Sequence, residues 1–169
     1  GGSTILENLI FKNIDQEALI VRGSSNVEAR NLLIDNARFG VTVMNSSASF
    51  LNCTVTNCSD IGFYVRDTSG TFIANSIIWG NGSDIWSGTN NSQDSVTISN
   101  SITQYPWLGP GSLNTEEDPL FINVQTDDFT LSTASPAIGF GLDSLYYQGR
   151  WYYAPSEDLA GVIRPSPIN

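Results

Sequence analysis

Two groups of residues in this chain combine aromatic rings with arginine, a pairing that suits a sugar. The C–H face of a pyranose stacks on a ring, and its hydroxyls or carboxylates take charged hydrogen bonds from guanidinium. The first group is Tyr64 with Arg66 and Arg22. The second is Tyr147, Arg150, Trp151 and Tyr152, in an insertion that holds four tyrosines (Tyr146, Tyr147, Tyr152 and Tyr153) and one tryptophan. The alternative for the insertion is that it folds back over the last turns and buries its rings as a cap. Material for bond cleavage is thinner. There is no histidine and one lysine, Lys12. Glycoside hydrolysis needs two carboxyls flanking one bond, and calcium needs a cage of oxygen ligands. The acids Asp84, Asp94, Glu116, Glu117, Asp118, Asp127 and Asp128 instead fall in turn-like stretches, where solvated or capping roles are ordinary. No cofactor is expected, and a structural calcium is the minority alternative.

These side chains are positioned by a repeat. Residues 26–47 and 48–69 superpose almost without gaps, with Asn31, Asn36 and Gly40-Val41-Thr42-Val43 matching Asn52, Asn57 and Gly62-Phe63-Tyr64-Val65. A period of about 22 residues with β-branched alternation marks a solenoid in which each repeat is one turn. Alternation assigns the faces. Leu19, Val41 and Phe63 point inward, as do Val21, Val43 and Val65, while Ile20, Thr42 and Tyr64 point out. Leu9, Leu32 and Cys53, then Phe11, Ile34 and Val55, form a second inward strand; Leu6, Ala29, Phe50 and Ile73 form a third. The expected fold is all-β, a single-stranded parallel β-helix over residues 1–104. A final turn and irregular C-terminal cap occupy residues 105–169, with the aromatic insertion at 142–157.

Stacking also assigns the remaining polar residues. Corner asparagines tolerate left-handed backbone and can bond to their equivalents above and below, which makes Asn52 and Asn57 poor glycan acceptors although both match Asn-x-Ser/Thr. Glu7 with Arg30, Lys12 with Asp35 and Asp15 with Arg38 should lie side by side as ion pairs. Arg22 and Arg66 share a column with Met44 between them and no acid. Cys53 and Cys58 would be about 16 Å apart in extended chain, and one turn shortens this only partly, so both are expected as buried thiols rather than a disulfide.

With 7 basic against 17 acidic residues, the net charge of −10 repels a phosphate backbone, so no nucleic acid partner is expected. No apolar run reaches the roughly 18 residues of a membrane span. The repeat is already present at Asn8 and Asn13, and Gly1-Gly2-Ser3 cannot cap a solenoid. An upstream part of the same polypeptide, or another β-helix chain, is therefore expected at the N-terminal edge.

From Asn75 a set of motifs follows in order: Asn75-Ser76-Ile77-Ile78-Trp79-Gly80-Asn81, Val96 to Gln104, Glu117-Asp118-Pro119-Leu120-Phe121-Ile122-Asn123, Asp128-Phe129-Thr130-Leu131, Ser135-Pro136-Ala137-Ile138 and Asp158 to Pro165. This run resembles the C-terminal portion of bacterial right-handed parallel β-helix proteins, the pectate-lyase-like secreted and surface proteins. The resemblance implies a right-handed helix, export and sugar-cleaving relatives, in which lyases use a Lys or Arg base with calcium and hydrolases use clustered aspartates. The chain departs from that pattern at Gly139-Phe140-Gly141, in the insertion, and in lacking a further acidic-aromatic strand after Arg164-Pro165. The expected role is non-catalytic: a secreted or cell-surface segment that binds glycan or attaches to a surface. One alternative is part of a polysaccharide lyase or glycoside hydrolase; another is a structural β-helix that stacks with a second chain or copy.

Overall fold

A computed structural model describes residues 3–67, 69–88 and 95–164 of the chain. Gly1, Gly2, Asp94 and Pro165, named above, lie outside the described residues. The first two strands, β1 (Thr4–Arg22) and β2 (Asn26–Met44), each trace a whole turn and pair in parallel. They stay continuous through corners because Asn8, Asn13, Asn31 and Asn36 adopt positive φ of 50–57°. Asparagine tolerates this region, and one such residue turns the strand while keeping its ladder bonds. Each corner also moves the inward position by one, so Ala29 and Leu32 both face the core despite odd spacing.

Later turns are divided at the same corners into three strands. β3 (Ser47–Leu51), β4 (Thr54–Thr56) and β5 (Ile61–Arg66) stack on β2, and β6 (Gly70–Ala74), β7 (Ile77–Trp79) and β8 (Ser83–Ser87) stack on those. β9 (Val96–Ser99) and β10 (Ile102–Thr103) complete a parallel β-solenoid of about four turns. The offset between stacked residues is 21 at Ser25/Ser46, 22 at Arg38/Asp60, 23 at Asn8/Asn31 and 25 at Ser76/Ser101, the differences being taken up in turns.

The inward columns form one core. Ala29, Phe50, Ile73 and Ile98 stack on one face, Ile34, Val55 and Ile78 on the second, and Val41 and Phe63 on the third, all essentially inaccessible. Gly40 is fixed by this packing, since a Cβ there would lie 2.6 Å from Gly62 O and from Val55 Cγ1. Cys53 and Cys58 are buried free thiols, as expected.

The cross-ladder ion pairs differ from expectation. Glu7 does lie beside Arg30 and Lys12 beside Asp35 in the register. Arg30, however, bonds Glu28 on its own strand, because Glu28 is almost wholly buried and needs the charge more than exposed Glu7 does. Lys12 turns to Asp127 at 3.3 Å, and Asp35 accepts from Asn57 Nδ2 at 2.9 Å. Asp15 sits in a register shift between Ile14 and Glu17 and borders the same depression as Arg38, but Arg38 pairs with Asp60 at 2.8 Å instead. The asparagine ladder is likewise partial. Asn31 bonds Asn8 at 3.0 Å and Asn36 bonds Asn13 at 2.7 Å, whereas Asn75 is taken by the backbone of Leu142.

The C-terminal segment has two roles. A shortened last turn closes the solenoid end: β11 (Gly111–Ser112) pairs with β9, and Trp107 packs on the core with Nε1 donating to Pro110 O at 2.9 Å. The chain then folds back along the flank. The hairpin of β12 (Phe121–Asn123) and β13 (Asp128–Leu131) brings Asp127 and Phe129 to Lys12 on the first turn. A second hairpin, β14 (Ser144–Tyr147) and β15 (Arg150–Tyr153), follows, and Arg164 reaches Asn31 Oδ1 at 2.5 Å.

Candidate functional site

The outward side of the third face carries an aromatic column. Thr42, Tyr64 and Trp86 are register partners there, and Phe39 precedes Thr42 on β2, where it pairs with Ile61. Phe39 and Tyr64 stack at 5.4 Å and 26°, while Tyr64 and Trp86 meet at 4.9 Å and 51°. The Arg66 guanidinium lies 5.5 Å from the Tyr64 ring centre, and Arg38 lies 5.2 Å from that of Phe39 while bonding Asp60. Beside the column is an open groove of about 560 Å³ lined by Phe39, Ser59, Asp60, Ile61, Tyr64 and Trp86, with Gly82. A Cβ at Gly82 would lie 2.5 Å from Ser59 O, so glycine lets the two turns close along this groove. A second depression of about 290 Å³ also reaches Ser59 and extends past Arg38 to Asn36 and Asn13.

The column changes what Tyr64 can do. Its ring lies between Phe39 and Trp86, so neither face is free for a sugar. Among the described residues Trp86 is the last ring of the column; it is tilted against Tyr64 and borders the groove. Arg66 does join Tyr64, but Arg22 does not: it is separated from Arg66 by Met44, roughly two ladder spacings or 10 Å away. Phe39, Trp86, Arg38 and Asp60 were missing from the sequence-derived set. Trp86 was detectable, because it occupies the repeat position of Tyr64.

The insertion residues split by strand alternation. Gln148 and Gly149, at φ 46° and 81°, make a two-residue turn of the kind that matches strand twist. On the inner side, Tyr147 stacks on Phe72 at 4.3 Å and 11°, and Tyr152 meets the same ring at 5.0 Å. Tyr147 Oη shares a 3.1 Å hydrogen bond with Thr97, and Arg150 joins Arg30 on the buried Glu28 carboxylate. Burial pushes the Tyr152 phenol up, opposed by Arg150. On the outer side Trp151 meets Tyr146 at 5.2 Å, and both are exposed. Tyr147, Arg150 and Tyr152 thus hold the hairpin to the solenoid, while Trp151 points away from them.

Among the described residues the acids form no cluster of three or more. Asp84 is buried in β8 and accepts from Gln104 N at 2.6 Å, Tyr105 N at 3.2 Å and Asn81 Nδ2 at 3.3 Å. Desolvation raises its pKa and these bonds oppose the rise. It anchors the start of the closing turn. Asp118, Asp128 and Asp158 accept from backbone N–H groups two residues on, as turn caps. Among the described residues no group of three or more His, Cys, Asp or Glu could hold a metal ion, and no helix is long and apolar enough to cross a membrane.

A family model described as right handed beta helix region matches residues 1–105. No significant match is found among curated proteins or solved structures.

Proposed function

Because the chain belongs to the right-handed β-helix family, we propose that it serves as a non-catalytic extracellular scaffold whose third face binds glycan. The observation that carries this reading is the groove beside the aromatic column, where the Trp86 ring, the Asp60 carboxylate and the Ser59 hydroxyl border one open space. A sugar ring stacks on Trp86 and directs hydroxyls toward Asp60 and Ser59, the mixture of apolar face and fixed polar groups that carbohydrate sites use. The same face extends past Arg38 toward Asn13, which suits an oligosaccharide laid along the solenoid axis better than a monosaccharide. Catalysis is not part of the proposal, since among the described residues Asp60 has no second carboxylate beside it in the lining of this groove.

The test is a glycan-array screen of the chain beside Trp86→Ala and beside a Tyr146→Ala/Trp151→Ala variant of the outer hairpin. Loss of at least tenfold in affinity in Trp86→Ala alone supports the groove. Loss only in the hairpin variant moves the site to the insertion. Absence of binding by the unaltered chain overturns the glycan reading.

A further inference from the structure

The groove beside Trp86 and the smaller depression share Ser59, and together they cross successive turns. Arg38 and Phe39 belong to one turn, Ser59 and Asp60 to the next, and Gly82 and Trp86 to the one after. Neighbouring turns are about 4.8 Å apart, so Arg38 and Trp86 are roughly 10 Å apart along the axis. A pyranose in an unbranched chain advances by about one such spacing per unit. The middle of this path is fixed by backbone on both sides. Ser59 N and Asp60 N donate to Ala37 O and Arg38 O at 2.9 and 3.0 Å, while Gly82 N and Ser83 N donate to Cys58 O and Asp60 O at 2.9 and 2.7 Å. The polar groups are thus ordered before any ligand arrives.

Their chemistry selects the ligand. Asp60 Oδ2 accepts from Arg38 Nε at 2.8 Å, and the same guanidinium lies 5.2 Å from the Phe39 ring centre. Arg38 borders the depression and can only donate, whereas the Asp60 carboxylate borders the groove and can only accept. A sugar hydroxyl does both. The carboxylate of a uronic sugar only accepts, and it would meet two like charges, Asp15 and Asp60, against one guanidinium that Asp60 already engages. Arg66 borders neither space.

Resting on the groove reading, we infer that the ligand is an unbranched neutral oligosaccharide of at least three units, laid with about one ring per turn. Arg38 is its specificity-determining residue, donating to the unit two turns away from the ring stacked on Trp86.

The experiment titrates the full chain calorimetrically with unbranched gluco-, manno- and xylo-oligosaccharides of one to six units, and with oligogalacturonates of the same lengths. A neutral series should gain about tenfold or more in affinity from one unit to three, and oligogalacturonate should bind at least about tenfold more weakly. Arg38→Ala should flatten the rise, so that three units bind about as two do, while the Trp86 contact keeps the shorter sugars bound. Affinity independent of length, oligogalacturonate binding as tight as neutral sugar, or a full rise in Arg38→Ala overturns this inference and leaves the groove reading standing. Failure of every neutral series while another glycan on the array binds also overturns it. Absence of binding by any glycan overturns the groove reading itself, and this inference with it.

Discussion

Glu28 and Arg150 are 122 residues apart in sequence and form an ion pair beneath the β14–β15 hairpin, where Glu28 is 1% exposed. A bare solenoid is close to a sum of nearest-neighbour terms between turns. Here, contacts of Asp127 with the first turn, of Arg150 and Arg164 with the second and of Tyr147 with Thr97 fasten distant turns through one returning segment. The turns are therefore coupled laterally as well as along the axis, and unfolding should be more cooperative than the repeat alone would give.

Arg150→Met keeps the aliphatic stem and leaves Glu28 with Arg30 as its single cation. Removing one partner from a buried charge is costly, and the remaining guanidinium limits the cost to about 2 kcal/mol. Urea denaturation checks it. In a Glu28→Gln/Arg150→Met double variant the two losses should be less than additive, because the neutral amide no longer needs the second cation.

Phe72 is the floor of the hairpin, with Tyr147 and Tyr152 both against its ring and Leu51, Ala74 and Leu145 around it. Phe72→Ala should cost about 3 kcal/mol. The loss should fall first on the hairpin, so limited trypsin digestion should cut after Arg150 several times faster than in the unaltered chain. Equal cutting rates would show that the Glu28 and Arg164 contacts hold the segment without Phe72.

The solenoid was legible because its signals are local and repeated. Leu19, Val41 and Phe63 recur at one phase, and the corner asparagines recur where left-handed backbone is needed. The ladder register could be read at Lys12/Asp35, but its ion pair could not. Asp127 reaches Lys12 through irregular chain that has no period to align. Asp15 failed for a related reason: a bulge near Ile14 leaves no mark in residue type. Trp86 was recoverable from its equivalence to Tyr64, whereas the occupied faces of Tyr64 become evident only when its neighbours are placed.

Asp84→Ala should cost about 2 kcal/mol, because Gln104 N, Tyr105 N and Asn81 Nδ2 lose an acceptor in a buried setting. The pH dependence has a definite sign. Burial raises the folded pKa above the usual 3.8, so the folded state binds the proton more tightly than the unfolded state does. The ionisation-linked contribution is complete below 3.8 and is lost as pH rises through the raised value. The stability difference between the unaltered chain and Asp84→Ala should therefore be largest in acid and narrow toward neutrality, as followed by denaturation at a series of pH values.

The two thiols offer the same test at the alkaline end. Burial pushes Cys53 up to about 12 and Cys58 to about 11, from an ordinary 9.0. At pH 8 neither should react with a disulfide reagent until the chain unfolds, and both should then titrate. Because each folded pKa exceeds the unfolded one, the thiols' contribution is complete below pH 9 and falls as unfolded thiols ionise. Each loses about 1.4 kcal/mol per pH unit until its own folded pKa is reached. A Cys53→Ala/Cys58→Ala variant should lose less stability than the unaltered chain between pH 9 and 11, and parallel curves would mean that water reaches the sulfurs in the folded state.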